Sequence, residues 1–218
     1  MRKSICLFLK LLLVCTSFFG VLFSCVFAVN DGYSHWSKRL LYFTAQSNIW
    51  IGLTALALLL LRKKNARERA YLFRYVFTVS ITVTGVVFCF LLAPFADESY
   101  HVWSTQSLFT HVFSPLLAIA DFFLDPTPFP FSKRHIFYTM LPPLFYFSVA
   151  IFLESFQVDF GRGAYYPYFF LNFRSPAGIF GFSAISPFFI GTFYWILLLC
   201  LFLLAISFLY AKKRSLFQ

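Results

Sequence analysis

The residues in this chain able to do chemistry gather in two otherwise apolar stretches. One is Tyr42-Phe43-Thr44-Ala45-Gln46-Ser47-Asn48, at the head of a greasy run that continues to Leu61. The other holds Ser107, Thr110, His111 and Ser114, with Asp121 further on. A polar group left unpaired in hydrocarbon costs several kcal/mol, so each of these needs a partner, a wet cavity or a reaction. Thr44, Ser47 and Asn48 stand at i, i+3 and i+4, so a helix presents them on one face, which Ile51 and Ala55 continue; Gln46 falls off it. Ser107 and Ser114 flank His111 at i−4 and i+3.

A threonine hydroxyl attacks a carbonyl only when a neighbour takes its proton. Histidine is the usual acceptor, because its pKa lies near neutrality. The chemistry within reach is therefore acyl transfer, with Thr44 as nucleophile and His111 as general base. Ser47 or Asn48, one turn further along, would hold the oxyanion, and Ser107 or Ser114 would orient the imidazole. A plainer reading stands beside this one. Intramembrane threonine commonly bonds back to the preceding turn, whereas an intramembrane histidine is costly enough to suggest a function.

These residues need elements to position them, and composition says which. The chain has 218 residues, 60% hydrophobic and only 12% charged. A soluble domain carries about a quarter charged residues, so this is an integral membrane protein. Six segments are long and apolar enough to span, near 5–29, 40–61, 75–95, 102–124, 136–153 and 187–210. The expected fold is all-α: a single domain over 1–218, built as a bundle of six transmembrane helices. The first span reads as retained rather than as a cleaved leader, since its apolar run is long and Phe23 is bulky for a cleavage site.

Charge orients the bundle. With both termini cytoplasmic, 14 of the 18 basic residues fall inside, and only Lys38, Arg39, Arg162 and Arg174 fall outside. Cytoplasmic loops facing anionic lipid account for the net charge of +10, and no nucleic acid is required. In this orientation Thr44 and His111 share the outer leaflet. Cys6, Cys15, Cys25, Cys89 and Cys200 lie in or at the edges of spans and read as small hydrophobes.

The loops carry further expectations. Residues 62–74 read as a solvated basic turn. Residues 125–135 hold Pro126, Pro128 and Pro130 and read as extended. The connection 154–186 holds the run Tyr165-Tyr166-Pro167-Tyr168-Phe169-Phe170, then a stretch rich in Gly, Ser and Pro. It reads either as a lid over an outward cavity or as an aromatic belt at the headgroups. Pro115 deprives a preceding carbonyl of its donor, His111 by the i−4 rule, and so distorts the helix at the histidine. Asp121 is a partly buried structural carboxylate that can pair with Arg74. His35, Asp97, Glu98, His101 and Asp159 show no ligand spacing, so neither a metal nor another cofactor is expected.

Three pieces of the chain carry a resemblance: Leu41-Tyr42-Phe43-Thr44-Ala45-Gln46-Ser47-Asn48, His111-Val112-Phe113-Ser114-Pro115-Leu116 with Asp121, and Tyr166-Pro167-Tyr168-Phe169-Phe170. In these the chain resembles the androgen-induced protein family of six-helix membrane proteins, especially its bacterial members. The resemblance implies a threonine hydrolase acting on fatty acid esters of hydroxy fatty acids, with Thr44 as nucleophile and His111 as base. It also implies membrane lipids as partners and a bacterial cytoplasmic membrane as location. The rival is a non-enzymatic transporter or lipid-binding protein whose polar intramembrane site would use Asp121, Pro115 and the Pro142-Pro143 pair. The absence of inverted repeats in the sequence counts against it.

Overall fold

Six apolar helices, long enough to cross a membrane, follow one another in the computed structural model, which describes residues 2–61, 63–96, 101–125 and 131–215. They are α1 (Lys3–Val26), α2 (Phe43–Leu60), α3 (Asn65–Phe95), α4 (Thr105–Leu124), α5 (Lys133–Ser155) and α6 (Thr192–Lys213). Among the described residues there is no strand, only two isolated bridges. The chain is thus an all-α, multi-pass membrane protein. Arg62, Asp97, Glu98, Pro126, Pro128 and Pro130, on which loop expectations fell, lie outside the described residues.

Helix α3 departs from expectation. The basic stretch after Lys63 is helix rather than solvated turn, so α3 begins about ten residues before position 75. Asn65–Arg74 has no Gly or Pro, and Ala66, Ala70 and the Arg and Glu residues between them favour helix. The extension is anchored by burial of Ala70, Tyr71 and Arg74. Helix α6 begins at Thr192 rather than near 187, because Pro187 and Gly191 belong to a folded loop whose own backbone bonds include Gly191 N–H to the Gly181 carbonyl. In α5, Pro142 and Pro143 open the segment Leu141–Ser155, where a missing N–H removes no helical bond.

Four charges tie α1, α3 and α4 together at one end of the bundle. Lys10 Nζ lies 2.6 Å from Asp121 Oδ1 and 2.8 Å from Asp125 Oδ2. Arg74 Nη1 lies 2.6 Å from Asp125 Oδ2 and 3.5 Å from Asp121 Oδ2. The Asp121–Arg74 pairing was expected. Lys10, which reads in the sequence only as an interruption of the first span, supplies the second cation. Above this quartet Leu13, Ile51, Ala55, Ile81 and Ala118 form the apolar seam between α1, α2, α3 and α4.

The connection between α5 and α6 has two parts. Phe160, Phe170 and Leu171 are buried against Phe43, Tyr146 and Ala150, so the first part caps α2 and α5. The second exposes Phe180, Phe182 and Ile185. Its backbone is bonded internally at Gly181 to Ala177, Ser183 to Phe189 and Gly191 to Gly181, as a segment against lipid requires.

Close approach of α3 and α4 depends on one glycine. A Cβ at Gly85 would stand 2.8 Å from the His111 carbonyl oxygen and 3.0 Å from Pro115 Cγ. Backbone and a rigid ring cannot yield locally, so Gly85→Ala must push the helices apart. The expected result is a loss of about 1–3 kcal/mol, the usual cost of overpacking, read by thermal unfolding in detergent. An unchanged midpoint would contradict this close approach.

Candidate active site

Two of the helices around the site, α3 and α4, each widen into a π turn, and the two turns face each other. In α4 the π segment is Phe109–Phe113, closed by Ser114 N–H to the Phe109 carbonyl. In α3 it is Phe88–Leu92, closed by Ala93 N–H to the Phe88 carbonyl. Single π turns inside α-helices are rare and concentrate at functional sites. Here they bring the His111 ring flat onto Phe88, with centroids 3.7 Å apart and 5° between planes. The stack, rather than a serine, fixes the plane of the imidazole.

The distortion at Pro115 was expected. The π turn adds a second carbonyl to it, because in the i→i−5 register Thr110 is also an acceptor that Pro115 cannot serve. Asn48 fills it: Nδ2 donates to the Thr110 carbonyl at 3.0 Å and to the Thr44 carbonyl at 2.8 Å. One amide hydrogen of Asn48 thus bonds back within α2 and the other joins α2 to α4, so the amide is occupied in this geometry rather than presented to an oxyanion. Ser47 Oγ lies 3.1 Å from the Thr44 carbonyl and 2.9 Å from Thr84 Oγ1, so it too works between helices. Ser114 Oγ donates to Thr16 Oγ1 at 3.3 Å and thus points to α1 rather than to the histidine. Ser107 lines the cavity described next and accepts a bond from Ser104 Oγ at 3.2 Å. Gln46 Nε2 closes back on the Leu40 carbonyl at 3.2 Å. Asp121 is held in the charged quartet at the far end of α4.

Thr44 and His111 line one cavity of about 260 Å³. Its wall is polar on several sides, with Tyr42, Gln106, Ser107 and Thr110 among its residues, and it reaches the surface at Arg162. His111 is nearly buried, and its Nδ1 has no hydrogen-bond partner. Thr44 sits in the first turn of α2, where the helix dipole favours negative charge.

Thr44 also borders a second space. A narrow apolar slot of about 50 Å³ runs among α2, α3, α5 and α6, with Val83, Val87, Phe147, Leu199 and Leu203 in its wall. Thr44, Leu92 and Tyr168 line both spaces and so form the partition between them.

Tyr168 is the site residue that sequence reasoning named only as part of an aromatic run. Its hydroxyl accepts from the Thr44 N–H at 3.3 Å and lies 3.5 Å from Thr44 Oγ1. Burial pushes this phenol up to about 12, with the Thr44 contacts pulling the other way. It is therefore a proton-bearing group near neutrality. Tyr42, whose ring stands 5.7 Å from that of Tyr168, is raised as well, mainly by burial and then by Tyr33. The available signal was a hydroxyl inside an uncharged aromatic run, but nothing local says that residue 168 closes over residue 44.

Among the described residues, no three His, Cys, Asp or Glu side chains converge as metal ligands would. Comparisons of the chain with protein-family models, with curated proteins and with solved structures found no match in any of the three.

Proposed function

We propose that this protein is an intramembrane lipid-ester hydrolase with Thr44 as nucleophile and His111 as general base. The observation that carries the reading is the double position of Thr44: it shares a cavity with His111 and borders an apolar slot whose wall can receive the first carbons of an acyl chain. Charge placement puts this end of the bundle at the outer leaflet, from which a lipid ester enters laterally.

His111 takes the Thr44 proton as Oγ attacks the ester carbonyl. The tetrahedral oxyanion forms at the head of α2, where the dipole and the Tyr168 hydroxyl support it. Collapse breaks the ester C–O bond, and the departing alcohol leaves with the proton from His111. Water then gives a proton to His111 and attacks the acyl-threonine. The fatty acid departs and Oγ recovers its proton. The resemblance implies a fatty acid ester of a hydroxy fatty acid as substrate, and that ester belongs in the first assay.

The test is fatty-acid release from long-chain esters by purified wild type, Thr44→Ala and His111→Ala. Activity unaffected by either change would overturn the mechanism. Tyr168→Phe removes the hydroxyl near the nucleophile and nothing else. It is expected to lower kcat about 10- to 100-fold with KM little changed, somewhat less than the loss of a dedicated oxyanion donor. An equal fall in binding and turnover would make Tyr168 a packing residue.

A further inference from the structure

The cavity carries charge that ester cleavage alone does not need. Arg39 and Arg162 both line it, and no described carboxylate does. They account for two of only four basic residues that charge placement leaves outside. Both are held on Tyr33 and Asp31. The Arg39 guanidinium lies 4.1 Å over the Tyr33 ring, donates to the Tyr33 hydroxyl at 3.2 Å and pairs with the Asp31 carboxylate. The Arg162 guanidinium stands 5.8 Å from the same ring, and its Nε donates to the Asp31 carbonyl at 2.7 Å. Arg162 has φ 57 between Gly161 at φ 132 and Gly163 at φ 73, a conformation a side-chain-bearing residue adopts at a cost. Gly161 lets this turn lie against Tyr33, since a Cβ there would fall 2.1 Å from Tyr33 Cδ1. The chain thus bends through three left-handed residues to set a second guanidinium at the rim.

We propose that Arg39 and Arg162 form a phosphate subsite, so that the substrate is a lipid whose ester joins the acyl chain to a glycerophosphate-type head: a lysophospholipid. The assignment rests on the hydrolase reading for the position of the ester. With the acyl chain in the apolar slot, the alcohol part must occupy the polar cavity. A cavity of about 260 Å³ is roughly 8 Å across and holds about nine water-sized groups, which suits a glycerophosphate of similar size. Paired guanidiniums recognise phosphate by charge-assisted bonds in fork geometry.

The experiment uses the full-length Thr44→Ala protein in neutral detergent, so that ligand survives. Binding of 1-oleoyl lysophosphatidate is compared with binding of 1-monooleoylglycerol, which differs only by the phosphate. The expected result is at least about tenfold tighter binding of the phosphate-bearing lipid, as charge-assisted contacts to two guanidiniums should give. The ratio should collapse in an Arg162→Gln background and recover in part with Arg162→Lys, which restores the charge but not the fork, while Arg39 stays untouched because it also holds Asp31. Equal affinity for the two lipids, no binding of either, or a ratio indifferent to Arg162→Gln would overturn the subsite. Displacement by millimolar inorganic phosphate would overturn the lipid assignment and leave a free-anion site. Wild type that binds lysophosphatidate with this preference yet releases no oleate removes the hydrolase and keeps the anionic-lipid site.

Discussion

Thr44→Ala is expected to cut fatty-acid release by about 10⁴-fold while leaving the fold intact, because losing a nucleophile removes the covalent route altogether. The two effects separate for a structural reason. Every strong bond at position 44 is made by its backbone: the N–H donates to Tyr168, and the carbonyl accepts from Ser47 and Asn48. Among the described residues the side-chain hydroxyl has only the 3.5 Å contact with Tyr168. Alanine keeps the backbone bonds and is a better helix former than threonine. The stability change should stay within about 1 kcal/mol. Initial rates on a long-chain ester and the unfolding midpoint, measured on the same preparation, check both halves. A rate within tenfold of wild type would remove Thr44 as the nucleophile. A large fall in midpoint would show that Oγ has a structural bond absent from this geometry. Thr44→Ser keeps the hydroxyl and should retain substantial activity.

Much of this arrangement was legible in the sequence, and the part that was not has a physical cause. Periodicity put Thr44, Ser47 and Asn48 on one helix face, and they do work together, but in the opposite sense from an oxyanion hole. Ser47 and Asn48 bond to the carbonyl of Thr44 and to neighbouring helices. Spacing gives the face of a helix but not which partner meets that face. Pro115 correctly marked a distortion, yet the π turn that adds the Thr110 carbonyl to it, and so gives Asn48 its partner, has no signal in spacing. The neighbours that define the site, Phe88, Tyr168 and Arg39, come from three other segments and have no motif of their own. Arg74 shows the same limit in the charge pattern. Counting basic residues grouped it with Lys10 at one end of the bundle, where the two do meet Asp121 and Asp125. It could not separate a solvated arginine from one buried against Asp125.

Asp121→Asn is expected to destabilise the protein by about 3–5 kcal/mol, the usual cost of stranding a buried charge. The quartet is balanced as built, with Lys10 and Arg74 against Asp121 and Asp125, and side chains no more than 9% exposed. Removing one carboxylate leaves two cations on Asp125 alone, in surroundings too dry to screen them. Removing Lys10 in the same protein restores balance, because Arg74 and Asp125 still meet at 2.6 Å. The double variant Lys10→Met/Asp121→Asn should therefore be more stable than Asp121→Asn alone, a coupling that a double-mutant cycle of unfolding free energies in detergent reads directly. Strict additivity would mean that the quartet is not a unit. The same variants bear on the rival reading. Ten residues of α4, roughly 15 Å, separate Asp121 from His111. A structural tie should change stability and spare the rate of the folded fraction, whereas a transport or proton-relay site at Asp121 requires a charge that exchanges partners during the cycle.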